Sequence, residues 1–188
     1  MKASGWLLDV YISFTEGAVL WFKLDSGHAI RLLDEYRPDF YVEPNDKVSI
    51  EELKSILLDH PHILDAYEEW KFTSLDRQEK SRVLHVSVDS VRNFKKVIED
   101  VGKIGYVKTY YNLDILHVQR YLYQKGFAPT SKVIVEHSDN GKLLSVRVLD
   151  DDLEIEPPPF TTLIFGLEIG SEALTPQVER NPISRIVI

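Results

Sequence analysis

Residues 102–148 hold five tyrosines, Tyr106, Tyr110, Tyr111, Tyr121 and Tyr123, interleaved with Lys103, Lys108, Arg120, Lys125, Lys132, Lys142 and Arg147. Only Asp114, Glu136 and Asp139 oppose those cations, so the stretch carries a net +4. Rings among cations suit a single-stranded nucleic acid: bases stack on aromatic faces at about 1–3 kcal/mol each, and basic groups meet phosphates. The same composition also suits half-buried sheet tyrosines and a solvated basic face. His60-Pro61-His62 places two imidazoles around a proline but brings no third ligand for a metal. Asp150-Asp151-Asp152 offers three carboxylates, equally the composition of a solvated acidic linker. No phosphate-binding Gly-x-x-x-x-Gly-Lys loop and no Gly-x-Ser-x-Gly elbow occurs.

The remaining composition bounds the problem. The chain has 188 residues and a net charge of −8, with residues 1–101 and 149–188 each at −6 around the basic island. An acidic total disfavours polyanion binding as a whole, yet fields decay over roughly 8 Å at physiological salt, so a local island can still attract one. With no cysteine there is no disulfide, no thiolate nucleophile and no Cys-ligated metal. An apolar share of 44% supports a real core. No apolar run reaches membrane-spanning length and Met1 to Trp6 lacks a secretory pattern, which leads to the expectation of a soluble, cytoplasmic protein without membrane partners.

The elements that must position these groups follow from periodicity. Trp6–Ile12, Ala18–Leu24, His28–Leu33 and Phe40–Val42 read as strands of a β-meander separated by Gly-containing turns and by Arg37-Pro38-Asp39. Ser49 with Glu52 is a capping box ahead of a helix with Ile50, Leu53, Ile56 and Leu57 on one face. Strands are expected at Ile63–Phe72 and Arg82–Val88, then a helix capped by Ser90 and stopped at Gly102, then a strand at Ile104–Val107. With the strand before it, this is the βαββαβ order of ferredoxin-like sheets, and the fold class is α+β. Asp114 is expected to cap a third helix ending at Lys125-Gly126, and Asn140-Gly141 to turn a final hairpin. After Glu156-Pro157-Pro158-Pro159 a buried strand from Thr161 to Glu168 opens something new, and Ile183–Ile188 reads as a strand in which the sequence stops, the pattern of a fragment or truncation.

Three segments together resemble a known family. Tyr111-Asn112-Leu113-Asp114 through Arg120-Tyr121-Leu122 to Lys125-Gly126-Phe127-Ala128-Pro129 is similar to the stretch leading out of the N-terminal domain of archaeal-type family B DNA polymerases. Leu163-Ile164-Phe165-Gly166-Leu167-Glu168 resembles that family's first exonuclease motif, Phe-Asp-x-Glu on a buried strand. Leu7-Leu8-Asp9-Val10-Tyr11 and Arg37-Pro38-Asp39-Phe40-Tyr41 fall at corresponding earlier positions. The resemblance implies a template-side N-terminal domain over residues 1–155 with an RNA-recognition-like sheet, and the first strands of an RNase H-like exonuclease domain from 160 to 188. Palm, fingers and thumb have no counterpart here.

The resemblance further implies partners: single-stranded template DNA and the remainder of a polymerase chain, in replication or repair. Arg120, Tyr121, Lys125, Pro38 and Tyr111 are the nucleic-acid-binding candidates, Arg120 and Pro38 because archaeal members build a template-uracil pocket there. Two positions depart from that pocket: an aromatic after the proline is Asp39, and another is His117. A carboxylate repels a phosphate-bearing strand, which argues against uracil sensing. At the exonuclease motif Gly166 stands where the metal-binding Asp would be, so Glu168 is a vestigial ligand and proofreading is absent. No cofactor is expected in this stretch, magnesium belonging to a complete polymerase. The competing reading is a stand-alone ferredoxin-like module whose acidic faces dock a protein.

Overall fold

The computed structural model describes residues 1–74, 76, 78–149, 157–170, 179 and 181–188. Asp150-Asp151-Asp152 lies outside the described residues. The chain divides into two compact units, Met1–Pro158 and Pro159–Ile188.

The first unit begins with the meander β1 (Lys2–Ser13), β2 (Gly17–Leu24) and β3 (Ala29–Asp34). These strands alternate: Leu7, Leu20, Phe22 and Leu32 point into one core and are fully or almost fully buried. The meander does not stand alone. β8 (Lys132–His137) pairs antiparallel with the first half of β1, and β9 (Leu143–Val148) pairs with β8. The sheet then curls until Leu33 meets Lys142 in a parallel bridge, with the Leu33 amide donating to the Gly141 carbonyl at 2.8 Å. The ring β1-β2-β3-β9-β8-β1 is the strand order of a five-stranded oligonucleotide-binding barrel. Helix α3 (His117–Lys125) precedes β8 and plugs this barrel with Tyr121 and Leu122, joined by Phe127 just beyond the helix. Gly5 permits the tight turn of the wall, since a β-carbon there would stand 2.2 Å from the Lys23 carbonyl oxygen.

Between β3 and α3 the chain inserts a second sheet. Its elements are β4 (Asp39–Pro44), α1 (Ile50–Leu58), β5 (Ile63–Phe72), β6 (Lys80–Val88), α2 (Val91–Ile104) and β7 (Val107–Tyr111). The strands lie in the order β5-β6-β4-β7, every pair antiparallel, which is the expected ferredoxin-like βαββαβ arrangement. Both helices cover one face, where Phe40, Val42, Leu53, Leu57, Leu84, Val86 and Val97 form a second core. The Ser49–Glu52 capping box forms in both directions, at 3.2 and 2.9 Å.

Boundaries differ from the sequence reading in four places. Helix α2 passes through Gly102 and stops at Gly105 in the left-handed conformation (φ 73°), because burial of Val101 and packing of Ile104 outweigh the roughly 1 kcal/mol cost of a helical glycine. Its strand therefore starts at Val107, not Ile104. Ser90 occupies the N-cap of α2 but its hydroxyl donates to Asp89 instead of capping. Helix α3 begins at His117 with Leu116 at its N-cap, so Asp114 caps nothing; Asn112, with φ 65°, turns the chain first.

The second unit contains the antiparallel hairpin β10 (Gly166–Ile169) and β11 (Ile183–Val187). The strand expected to be buried from Thr161 is shorter than that and exposed along its whole length, since among the described residues of this unit the two-stranded ribbon has nothing covering either face.

Candidate nucleic-acid interface

Helix α3 sits where the barrel meets the inserted sheet, and adjacent residues on it serve different partners. Tyr121 is fully buried in the barrel and its hydroxyl donates to Asp34 Oδ2 at 2.8 Å. Burial, then the Asp34 charge and this bond, push its pKa up, so the phenol stays protonated. Arg120 turns toward the inserted sheet and is buried. Its guanidinium pairs with Asp39 at 3.3 Å, donates to the Asn112 and Ile115 carbonyls, and lies over the Phe94 ring at 5.1 Å. Asp39 also accepts from His85 Nε2 at 2.6 Å. Burial alone would raise the Asp39 pKa, but the His85 bond and charge, Gln124 and Arg120 together hold it below the ordinary carboxylate value. Beside this cluster the Tyr36 hydroxyl lies 3.0 Å from His117 Nδ1. Desolvation and then Arg120 depress the His117 pKa, which favours the neutral ring in this bond.

The candidate residues are therefore not one surface. Arg120, Tyr121 and Pro38, expected among the nucleic-acid contacts, are buried inside the unit and hold it together. The reason is helix geometry: the inward stripe of α3 is the one carrying Arg120, Tyr121 and Leu122. Lys125 reaches the surface but pairs with Asp34 at 2.5 Å. Tyr111 is half-buried on β7, on the face of the inserted sheet that the helices leave uncovered. The basic island also disperses on folding. Lys103, Lys108, Arg120, Lys125 and Lys132 each pair with an acid, Asp100, Glu43, Asp39, Asp34 and Asp25 respectively. His60 and His62 likewise pair with separate acids, Asp100 at 3.6 Å and Asp89 at 2.9 Å. Among the described residues no group of three or more acidic or imidazole side chains could hold a metal.

The uncovered face of the inserted sheet holds residues that the sequence reading missed. Register pairs Tyr67 of β5 with His85 of β6, His85 with Tyr41 of β4, and Tyr41 with Tyr111 of β7. Four rings thus form one row straight across four strands. The Tyr67–His85 and His85–Tyr41 centroid separations are both 4.8 Å, one strand spacing. Tyr67 is 39% exposed. Burial raises the hydroxyl pKa values of Tyr41, Tyr67 and Tyr111, so these rings are neutral at pH 7. Beside the row, Tyr41, Tyr111, Phe72, Lys71, Thr73 and Asn112 help line a groove of about 410 Å³. No linear motif could have shown the row, because its members are separated by whole elements. Only the strand order and alternation of side chains bring them together.

In the second unit Glu168 is exposed and its carboxylate lies 3.6 Å from Arg185. Nothing comes within 4 Å of a β-carbon built at Gly166, so no contact requires glycine there. A two-carboxylate metal site does not fit these residues: one ligand position has no side chain and the other faces a guanidinium.

Comparison with known proteins places this architecture. No family model matches the chain. Over 96% of its length it is 25% identical to DNA polymerase 2 of Aeropyrum pernix, of which it spans a quarter. The family B DNA polymerase of the hyperthermophilic archaeon Pyrobaculum calidifontis has the same fold over 97% of the chain, with a TM-score of 0.74 and 22% identity, again over a quarter of that protein. The chain is thus similar, across nearly all its residues, to part of an archaeal family B DNA polymerase. Among the described residues no helix is long and apolar enough to cross a membrane.

Proposed function

We propose that this chain is the template-side portion of a family B DNA polymerase or of an exonuclease-inactive relative, and that it contacts single-stranded template DNA without cutting or copying it. The observation that carries this reading is the alignment of 96% of the chain with an archaeal polymerase about four times its length. Its architecture supports it: an oligonucleotide-binding barrel with a ferredoxin-like sheet inserted, the second bearing rings on its open face. On this reading residues 1–158 are the template-side domain, and the hairpin of residues 166–187 begins an exonuclease-like domain whose metal pair is lost at Gly166. The remainder of a polymerase chain is the second partner.

Binding is expected to be weak and only mildly salt-dependent, because most cations of the basic island already have internal acidic partners. Fluorescence anisotropy of a labelled oligo-dT of about 12 nucleotides checks this. The expected dissociation constant is about 10⁻⁵ M, with a duplex of equal length at least about tenfold weaker, since paired bases present no free faces. The labelled strand should stay intact with magnesium or manganese present. No anisotropy change at any salt, or equal affinity for duplex, would contradict the proposal.

A further inference from the structure

We infer that the row Tyr67–His85–Tyr41–Tyr111 and the groove next to it form a stacking platform for two or three consecutive unpaired bases of one strand. This rests on the single-strand reading above and adds the surface that performs it. The Tyr67, His85 and Tyr41 rings follow one another at 4.8 Å, one strand spacing, and register places Tyr111 on the next strand, so a strand laid across the sheet meets a ring on each β-strand. Thr73 and Asn112 at the groove wall supply a hydroxyl and an amide for base edges, while Lys71, 5.5 Å from the Tyr41 ring centroid, places a cation at the rim.

Charge on the face supports this occupant. Four carboxylates lie there, and three are already engaged: Asp39 by His85 and Arg120, Glu43 by Lys108 and the Tyr111 hydroxyl, and Glu69 by Lys71, while Asp65, opposite Ser87 at the start of β5, is exposed. A chain of net charge −8 therefore presents, among the described residues, one bare carboxylate on this face, Asp65, one same-face residue pair along β5 and β6 from the ring row. Side-chain type points the same way. By strand alternation the face includes Asp39, Tyr41, Glu43 from β4, Asp65, Tyr67, Glu69, Lys71 from β5, Ser81, Val83, His85, Ser87 from β6, and Thr109, Tyr111 from β7. Val83, fully buried, is its aliphatic member. Flat rings with hydrogen-bonding rims and almost no aliphatic surface match nucleobases better than an apolar protein segment.

The chemistry is common to DNA and RNA strands, and oligo-dT and oligo-U of equal length are titrated in parallel to distinguish them. In the full chain, Tyr41→Ala and Tyr67→Ala are each expected to weaken binding about tenfold, the double variant about a hundredfold, while Tyr41→Phe and Tyr67→Phe keep near-wild-type affinity. Photocrosslinking of the unaltered chain with an iodouracil-substituted strand is expected to place adducts on residues 39–44 and 63–72. This second readout decides the matter if an alanine variant fails to fold. Wild-type affinity in the double variant, or adducts confined to the barrel turns at residues 13–17 and 138–142, would overturn the platform while leaving single-strand binding standing. Absence of binding by the unaltered chain would overturn both. A dimer that dissociates on Tyr67→Ala would assign the face to a second copy and also overturn it.

Discussion

Arg120→Ala is expected to destabilise the protein by about 3–5 kcal/mol and to lower the melting temperature by roughly 10 °C. The side chain is buried and makes several contacts at once: the Asp39 carboxylate, two backbone carbonyls, and the face of Phe94. Removing it leaves Asp39 in a partly desolvated place with His85 as its remaining ion-pair partner. Arg120→Lys is expected to recover little, because one ammonium cannot reach three acceptors in different directions or lie flat on a ring. Acid titration gives an independent check. A carboxyl held below its ordinary value of 3.8 contributes stability that is fully present above that pH and is lost as pH falls through the lower folded value. Acid unfolding below about pH 4 should accordingly show this contribution reduced but not abolished in Arg120→Ala, because His85 and Gln124, which lower the Asp39 pKa more than Arg120 does, remain. Calorimetry showing a loss under about 1 kcal/mol would mean that the guanidinium is effectively a surface group and would return Arg120 to the set of strand contacts.

Tyr121→Ala is expected to cost about 3–5 kcal/mol, as a large ring removed from the closed barrel leaves a cavity that neighbouring strands cannot fill. Tyr121→Phe is expected to cost only about 1 kcal/mol, since Asp34 keeps Lys125 as a partner. Neither change should alter strand binding by the folded protein, because the ring is fully buried and packs edge-on against Tyr36 and Phe127. Denaturant unfolding monitored alongside oligo-dT binding separates the two effects. A Tyr121→Phe protein of near-normal stability that had lost strand affinity would contradict the structural assignment.

Local order was legible in the residues and long-range closure was not. Ser49–Glu52 announced α1, and Asn140-Gly141 announced the β8–β9 turn, because caps and turns are decided by neighbouring residues. The change from alternating to helical periodicity between Tyr41 and Leu53 exposed the ferredoxin-like insert. The barrel was invisible for a physical reason: β1 finds β8 across more than a hundred residues, and nothing in Lys2–Trp6 names Lys132–Glu136 as its partner. The candidate site suffered from the same distance effect in reverse. Arg120 and Tyr121 look like binding residues when read beside Lys125 and Tyr123, yet one helical turn sends them to interior surfaces. Cations contiguous in sequence were dispersed over separate helices and strands, five of the seven paired with acids, whereas rings scattered from Tyr41 to Tyr111 were assembled into one row.

The resemblance to archaeal polymerases anticipated the fold, but it pointed to the seam around Arg120, where this chain has Asp39 and His117. Those two residues make the seam a closed network with Tyr36, His85 and Phe94. Pairing with His85 and Arg120 explains how a carboxylate can stand at that position without presenting a bare charge to a strand.

The central claim, that an unpaired strand lies on the open face of the inserted sheet, is tested most directly by backbone amide NMR of the full chain titrated with oligo-dT. The expected result is a set of shifts centred on Tyr41, Tyr67, His85 and Tyr111, with Tyr121 and the barrel core unmoved. Shifts confined to the barrel turns or to the hairpin of residues 166–187, or none at saturating oligonucleotide, would contradict it.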